Sequence, residues 1–245
     1  MQLRKVLFDE RGFDMKIFID AGHNFSGCDT GAQENGLKEQ DITFIISNKL
    51  KTLLENDGHS VKMSRNRQEE SLGNTTKESL KKRCEMSNEW GADLFLSIHA
   101  NAGGGKGTET FVYSKSGKAL PFAKRITDAI CTHLDTVNRG VKENKSLFVL
   151  KNTSSPAILI ETAFIDNKED AEKLKRRTDD FALAIFEGVT GKAQEEETEE
   201  VKIIGELFKR EILTDKKLWE TKIKEDKNIF YLAQKMLDYI KRRGL

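Results

Sequence analysis

Two of the four histidines in the chain lie where an apolar, strand-like run meets a glycine-containing loop. His23 follows "KIFIDAG", and His99 lies within "DLFLSIHANAGGGKG". Glu161 has the corresponding position in a third run, "AILIETAFIDN". In open α/β sheets, ligands collect at the carboxyl ends of the strands, so neighbouring strands would bring these three side chains together. Imidazole and carboxylate groups at such an edge can bind a metal or transfer protons.

A second carboxylate, Glu39, follows His23 by 16 residues and lies near the start of a helical pattern. An acidic residue in a first turn often does no more than interact favourably with the helix dipole. The alternative is that Glu39 completes a His/Glu/His set with His23 and His99. Three such protein ligands leave the fourth position of a zinc ion for water, and such a site activates water and polarises a carbonyl group. The residues themselves leave both interpretations open.

Glu161 is the candidate for proton transfer. A zinc-activated water needs a carboxylate that takes its proton and passes it to the leaving nitrogen. The end of a buried strand suits that role, because partial desolvation raises the pKa of a carboxylate. A capping or salt-bridged glutamate is the alternative. His59, in the turn-like "NDGHS", and His133, in the helical "AICTHLD", lack such surroundings, and we interpret both as surface or structural histidines.

The elements that must position these groups alternate between short β-rich runs and longer helical patterns. This alternation is typical of an α/β fold with a doubly wound, mostly parallel sheet. The runs "FLSI" and "AILI" are apolar without alternation, which predicts central strands covered on both faces by helices. The "GGGKG" after His99 is interpreted as a mobile rim, with a tight connection as the alternative. We predict about six strands, at 16–20, 60–65, 93–100, 108–114, 146–151 and 157–165, and helices at roughly 39–56, 76–90, 117–136 and 168–189.

Composition divides the chain into four segments. Residues 1–14 precede the first strand and are either an upstream extension or a disordered leader, and residues 15–192 contain all the groups above. The acidic "AQEEETEE" at 193–200 is typical of a solvated linker. Residues 201–245 show two apolar helical stripes, but so small a segment buries little surface alone. We therefore expect it to dock on the main domain, to self-associate into a homo-oligomer, or to bind an external partner.

Charge and cysteine content argue against several classes of function. The 41 basic and 40 acidic residues give a formal net charge of +1, which argues against a nucleic-acid-binding protein or one that binds an anionic membrane. Three widely spaced cysteines without a CxxC pair argue against a disulfide framework or a thiolate zinc site. The first residues lack the apolar core of a secretory signal, and no stretch approaches the length of a membrane span.

Four motifs, in order along the chain, resemble the zinc-dependent N-acetylmuramoyl-L-alanine amidases of the type-3 class. They are "FIDAGHNFSGCDTGA" with "GLKEQD", then "RCEMSNEWGADLFLSIHANA", "GTETFVYS" and "NRGVKENKSLFVLKNTSSPAILIETAFIDNKED". The resemblance extends over about residues 15–192. It implies one zinc ion held by His23, Glu39 and His99, with Glu161 as the catalytic general base. The implied reaction is hydrolysis of the amide bond between N-acetylmuramic acid and L-alanine in peptidoglycan.

The motifs depart from the family pattern at three positions. The family has proline before Gly-His and glycine after it, where this chain has Ala21 and Asn24, and Ala163 replaces the glycine of Glu-x-Gly-Phe. No ligand is lost, so these changes concern loop conformation and substrate fit rather than chemistry. The resemblance also makes Asn101 and Arg139 candidates for substrate binding, or for bracing a loop.

The carboxy-terminal helices resemble small tails on some phage and prophage lysins of Gram-positive bacteria. We therefore predict a phage-type, bacteriolytic endolysin that acts on the peptidoglycan of a Gram-positive cell wall, with no nucleic acid or membrane as partner. Without a signal peptide, it would accumulate in the host cytoplasm until a phage-encoded holin opens the membrane. The alternatives are a host autolysin, a non-catalytic wall-binding module that keeps the fold, and a zinc peptidase that cuts within the stem peptide.

Overall fold

A computed structural model gives the architecture of the chain. It describes residues 14–192, positions 203, 206, 207, 212, 213, 219 and 222, and residues 227–243. The predictions for the leader up to residue 13 and for the acidic linker lie outside the described residues. The chain divides into two compact units, residues 1–192 and 193–245. Among the described residues, every helix is too short or too polar to span a membrane.

The first unit is built around a six-stranded sheet with the order β4-β1-β5-β8-β6-β7. All neighbouring strands run parallel except β6, which is antiparallel to β8. The prediction of a mostly parallel α/β sheet with "FLSI" and "AILI" at its centre is therefore confirmed. The strands are β1 (Lys16–Ala21), β2 (Gln33–Glu34), β3 (Leu37–Lys38), β4 (Ser60–Met63), β5 (Leu94–Asn101), β6 (Thr108–Val112), β7 (Asn138–Glu143) and β8 (Ala157–Phe164), of which β2 and β3 form a separate hairpin.

Helices cover both faces of this sheet. Successive side chains of a strand point to opposite faces, so one strand can contribute apolar residues to both layers of helices. Ile17 and Ile19 of β1 belong to the same buried cluster as apolar residues of α1, α3 and α6, whereas Phe18 between them belongs to a second cluster with residues of α2 and α4. The same alternation holds along β5 and β8. Both central strands are thereby buried on two sides. The helices are α1 (Glu39–Asn56), α2 (Thr76–Trp90), α3 (Leu120–Leu134), α4 (Phe148–Asn152), α5 (Lys168–Arg176) and α6 (Thr178–Thr190).

Two predicted elements are wrong. The run 146–151 is not a strand, because residues 148–152 form α4, and the polar β7 supplies the sixth strand instead. A short apolar run cannot be distinguished from a buried helical turn by periodicity alone. The predicted helix at 168–189 is two helices, since the backbone leaves helical geometry at Arg177.

The second unit contains the helix α7 (Lys227–Arg243). One face of α7 packs against apolar residues that precede it in the chain. These contacts give the unit a small core of its own, formed by Ile203, Leu207, Leu213, Ala233, Leu237 and Ile240. The domain boundaries and the role of this unit stay predictions.

Candidate metal centre

The carboxyl edge of the sheet brings together the four residues predicted to do chemistry. His23 lies in the loop after β1, His99 on the adjacent β5, and Glu39 is the first residue of α1. Glu161 on β8 is the register partner of His99 on β5. Strand order therefore places all four side chains at one site, where ligands collect in folds of this type.

His23, Glu39 and His99 contact one another through one atom each. Nε2 of His23 lies 3.0 Å from Oε1 of Glu39, and Nδ1 of His99 lies 3.1 Å from the same oxygen. The two imidazole nitrogens are 3.2 Å apart. If each of these two nitrogens carries a proton and donates it to the Glu39 carboxylate, no hydrogen bond can join the two nitrogens to each other. A zinc ion with tetrahedral ligands at about 2.0–2.1 Å would place its ligand atoms about 3.3 Å apart, which fits all three distances.

Backbone amides fix the Glu39 carboxylate. Its Oε1 accepts a hydrogen bond from the amide of Ala100 at 3.0 Å, and its Oε2 accepts one from the amide of Ala32 at 2.9 Å. Gly31 allows this close approach, because a Cβ there would lie 2.7 Å from Oε2 of Glu39 and 2.8 Å from the His23 ring. The carboxylate is thus held in place before any ligand binds.

Asp29 orients the His23 ring. Nδ1 of His23 lies 3.3 Å from the carbonyl oxygen of Asp29 and 3.5 Å from its carboxylate. A proton on Nδ1 that donates to Asp29 leaves the lone pair of Nε2 directed at the cluster, as in metal-binding histidines. Both residues have positive φ angles, 66° for His23 and 60° for Asp29, a strained backbone conformation that is common at functional sites.

A proton on His23 competes with a cation for this cluster at neutral pH. Burial lowers the pKa of His23, but hydrogen bonds with Asp29 and Glu39 outweigh this effect and raise the pKa to about 9. Burial would raise the pKa of Glu39, but the hydrogen bonds from His23 and His99 hold it well below its usual range. A cation that binds here must therefore displace a proton from His23, which makes its affinity pH-dependent.

The Glu161 carboxyl has the environment of an acid–base group. Its Oε2 is buried and has no hydrogen-bond partner within the part of the chain that the structure describes. Burial raises the pKa of Glu161 to about 7, and the charges of Glu39 and Glu109 add to the rise while His99 opposes it. A carboxyl with a pKa near neutrality can both accept a proton and return it.

A comparison with known proteins identifies the family. The family model described as N-acetylmuramoyl-L-alanine amidase matches residues 17–191. The chain belongs to this family. It is 41% identical over 162 residues to the N-acetylmuramoyl-L-alanine amidase CwlM of Bacillus licheniformis, and the aligned region covers 66% of this chain and 61% of CwlM. It is 38% identical over 180 residues to the endolysin of Bacillus phage SPP1, which covers 70% of this chain and 62% of the endolysin.

A solved structure of similar fold covers the same part of the chain. The catalytic domain of the CD27L endolysin targeting Clostridia difficile superposes with a TM-score of 0.65 and 33% identity. The match covers 74% of this chain and 99% of that domain. In contrast, this chain spans only about three fifths of the lengths of CwlM and the phage endolysin. The amidase fold is therefore shared along the whole of the CD27L domain.

Asn101 and Arg139, the two residues predicted to bind substrate, both contact Glu109. Nδ2 of Asn101 donates to Oε1 of Glu109 at 3.0 Å, and Nε of Arg139 donates to Oε2 at 2.6 Å. Lys142 donates to the same Oε2 at 2.5 Å. Glu109 on β6 is the register partner of Glu161 on β8. The sequence reasoning missed Glu109 and Lys142, because a single charged residue between the threonines of the run "TETFV" does not by itself indicate a role.

A buried polar network supports the amidase loop that carries His23. Arg83 of α2 donates to Oδ1 of Asp20 at 2.6 Å and to Oδ1 of Asn24 at 3.1 Å. Ser97 on β5 donates to the other carboxylate oxygen of Asp20 at 2.8 Å. Asn24, which departs from the family pattern, thus ties the loop to α2. The sequence reasoning did not find Asp20 and Arg83.

The other two histidines lie apart from the amidase site. His59 accepts a hydrogen bond from the amide of Met15 at 3.3 Å, and His133 contacts Glu187 at 2.8 Å. Both have structural partners, in keeping with their interpretation from the sequence.

The glycine-rich loop after His99 is firmly attached. The amides of Gly103 and Gly104 donate to Oδ2 of Asp166, each at 2.7 Å, and the amide of Gly107 donates to Asp170 at 2.7 Å. Gly105 lies so close to the Phe164 ring that a Cβ would be only 2.3 Å from it. These contacts favour the alternative of a tight connection, and the mobility of the loop stays a prediction.

An Asp29→Asn variant is expected to bind zinc about 10- to 100-fold more weakly, because outer partners of metal-binding histidines contribute to affinity by that amount. Asparagine tolerates the left-handed backbone conformation at this position, so the fold should be retained. A competition titration with a chelating dye measures the affinity. Wild-type zinc affinity in this variant would mean that the backbone carbonyl alone orients His23.

Proposed function

We propose that the chain is a zinc-dependent N-acetylmuramoyl-L-alanine amidase that hydrolyses the amide bond between N-acetylmuramic acid and L-alanine in peptidoglycan. The observation that carries this proposal is the convergence of His23, Glu39 and His99 at 3.0–3.2 Å, with Glu161 on the neighbouring strand. Family membership supports the choice of bond. The donor set of two imidazoles and one carboxylate supports a single zinc ion with an open position.

Each residue has a separate role in the proposed reaction. When bound, a zinc ion would lower the pKa of water and polarise the amide carbonyl. His23, Glu39 and His99 would hold it, and Asp29 would keep the proton of the His23 ring on Nδ1, so that Nε2 faces the ion. Glu161 accepts the proton of the attacking water and returns it to the leaving nitrogen of L-alanine. Its buried carboxyl suits this exchange because the raised pKa lies close to neutral pH.

Mass spectrometry of digested peptidoglycan tests the proposed reaction. Purified protein should release stem peptides with a free L-alanine amino end, a chelator should stop their release, and added zinc should restore it. Cleavage inside the stem peptide would instead identify a zinc peptidase. New reducing ends without new amino ends would identify a glycosidase. Binding to the wall without any cleavage would identify a non-catalytic wall-binding module.

We further propose that this amidase is a phage-type endolysin that acts on Gram-positive cell walls. The similarity to the endolysin of phage SPP1 supports this role, while the similarity to CwlM supports a bacterial autolysin. Expression in a Gram-positive host, with and without a holin, separates the two. Lysis that requires the holin supports the endolysin role and accumulation in the cytoplasm. Export and wall cleavage without a holin would support the autolysin role.

Truncation after Lys192 is expected to keep activity on soluble muropeptides, because the buried apolar clusters of the first unit consist of its own residues. We propose that residues 193–245 bind the wall or self-associate. Loss of wall binding or of self-association should weaken binding to intact walls by about tenfold or more. Either function links a second wall contact to the first and so raises the effective concentration of the protein at the wall. Wall pull-down and light scattering distinguish the two roles. A folded but inactive truncation would show that the second unit is part of the catalytic machinery.

A further inference from the structure

Two basic side chains of the edge strand β7 point toward the same carboxylate, although a regular strand would separate them. Residues three apart in a strand point to opposite faces of a sheet. Between β6 and β7 the register shifts, since Thr108 pairs with Asn138 but Thr110 pairs with Val141. Two residues of β7, Arg139 and Gly140, therefore lie opposite one residue of β6. This extra residue is a β-bulge, and such bulges often redirect side chains next to active sites.

The bulge places Arg139 and Lys142 on one face of the sheet. Gly140, with a φ angle of 77°, provides the backbone conformation that the bulge needs. Lys142 pairs in register with Phe111, and its ammonium lies 5.8 Å from the centre of that ring. Phe111 and Glu109 are two residues apart on β6 and share a face. Both basic side chains therefore reach Oε2 of Glu109, at 2.6 and 2.5 Å.

The charges on this face do not cancel. The Glu109 side chain is only 6% exposed, whereas the side chains of Arg139 and Lys142 are 34% and 41% exposed. Two cations thus face the single carboxylate of Glu109, so one positive charge is in excess around this residue. Among its contacts with described residues, Arg139 hydrogen-bonds through Nε alone. The rest of its guanidinium can form the paired hydrogen bonds that a carboxylate accepts.

This positive charge lies beside the reacting groups. Glu109 is the register partner of Glu161, and Glu161 is the register partner of His99. Directly opposed residues on neighbouring antiparallel strands have Cβ atoms about 4.5–5.5 Å apart. Glu109 thus lies one strand spacing beyond Glu161 on the same face, and the two cations reach it from β7, the next strand. In the proposed substrate, the glycan hydroxyls are uncharged, whereas the stem peptide carries carboxylates beyond L-alanine.

We propose that Arg139 and Lys142, held by Glu109, form a subsite that binds a carboxylate of the stem peptide. The subsite orients the peptide so that its first amide bond lies over the metal centre, and it makes the two cations determinants of specificity. This inference rests on the proposed amidase function and adds to it the side of the site on which the peptide lies.

The subsite can be tested with two soluble muropeptides that differ only in the carboxylates of the stem peptide. These are free in one muropeptide and converted to carboxamides in the other. Wild-type protein should cleave the carboxylate form with a kcat/KM at least about tenfold higher, mainly through KM, because hydrogen bonds between charged partners are stronger than those to a neutral amide. In Lys142→Gln and Arg139→Gln variants this preference should fall toward one. Lys142→Arg, which keeps the charge, should restore it.

Lys145→Gln is the matched control, because Lys145 is 62% exposed and pairs with Glu143 instead of Glu109. This variant should keep the wild-type preference. Equal cleavage of the two muropeptides by wild-type protein would overturn the subsite without any variant being needed. So would a wild-type preference that persists in folded Lys142→Gln and Arg139→Gln proteins. Failure to cleave either muropeptide would contradict the amidase function instead.

Discussion

Replacing Glu161 with glutamine is expected to reduce turnover roughly 10²- to 10⁴-fold while the fold and the zinc content are retained. Glutamine fills the same space, but its amide cannot take a proton from water or return one to the leaving nitrogen. The cluster proposed to bind zinc contains His23, Glu39 and His99, none of which hydrogen-bonds to Glu161 in the described part of the chain. Steady-state kinetics on a soluble muropeptide and metal analysis of the same sample measure the two effects.

The unfolding behaviour of the metal-free protein gives an independent check on Glu161. Burial raises the pKa of this carboxyl to about 7 from its ordinary value of 4.5. The folded state therefore holds a proton that the unfolded state releases, so the group destabilises the fold as pH rises from about 4.5 to 7. Glu161→Gln should remove this contribution, and the variant should be more stable than wild type at pH 8 by up to about 3 kcal/mol.

The matched control is Glu143→Gln, at the exposed end of β7, where Glu143 pairs with Lys145. The hydrogen bonds from the Lys115 amide and from Lys145 lower the pKa of Glu143, so it stays ionised above about pH 5, and neither turnover nor the pH dependence of unfolding between about pH 5 and 8 should change in that variant. Turnover of Glu161→Gln within about tenfold of wild type would contradict its role as the general base, because this role contributes at least about 10²-fold. Loss of zinc together with activity would instead make Glu161 part of the metal site.

The centre of the fold could be predicted from sequence because burial there leaves a strong pattern. The strands β5 and β8 are covered by helices on both faces, so their residues are apolar without alternation. The edge strand β7 has one neighbour and mostly partly exposed, polar residues, so it carries no comparable pattern. The small hairpin of β2 and β3 had a readable signal in Asn35-Gly36, with both residues at positive φ, which is typical of a tight hairpin turn.

The residues of the candidate site also differ in whether their roles could be proposed from sequence. His23, His99 and Glu161 could be proposed from sequence because each follows or ends a recognisable buried strand. Glu109 and Lys142 could not, because their roles depend on the antiparallel pairing of β6 with β8 and on the bulge opposite Glu109. Neither feature follows from local residue preferences. Which strands pair across a long stretch of sequence cannot be read from the residues of either strand alone.

Glu39 is the residue for which the two interpretations of the sequence differ most in their expected effect. If it only interacts with the dipole of α1, Glu39→Gln should cost about 0.3–1 kcal/mol of stability and leave zinc binding unchanged. The structure places its Oε1 at 3.0 and 3.1 Å from His23 and His99. We therefore expect the variant to lose bound zinc and to lose more than about 100-fold in activity, beyond the effect of changing an outer partner.

Asp41 provides the control that separates these interpretations, because it is the other acidic residue in the first turn of α1. Its carboxylate accepts a hydrogen bond from Gln68 at 3.1 Å instead of contacting the histidines. Asp41→Asn should have the small stability cost of a helix-dipole interaction and keep one zinc per chain. If Glu39→Gln and Asp41→Asn behave alike in zinc titration and activity, Glu39 is not a ligand. Loss of zinc from Glu39→Gln alone would assign the carboxylate to the metal, because the two variants remove the same charge from the same helical turn.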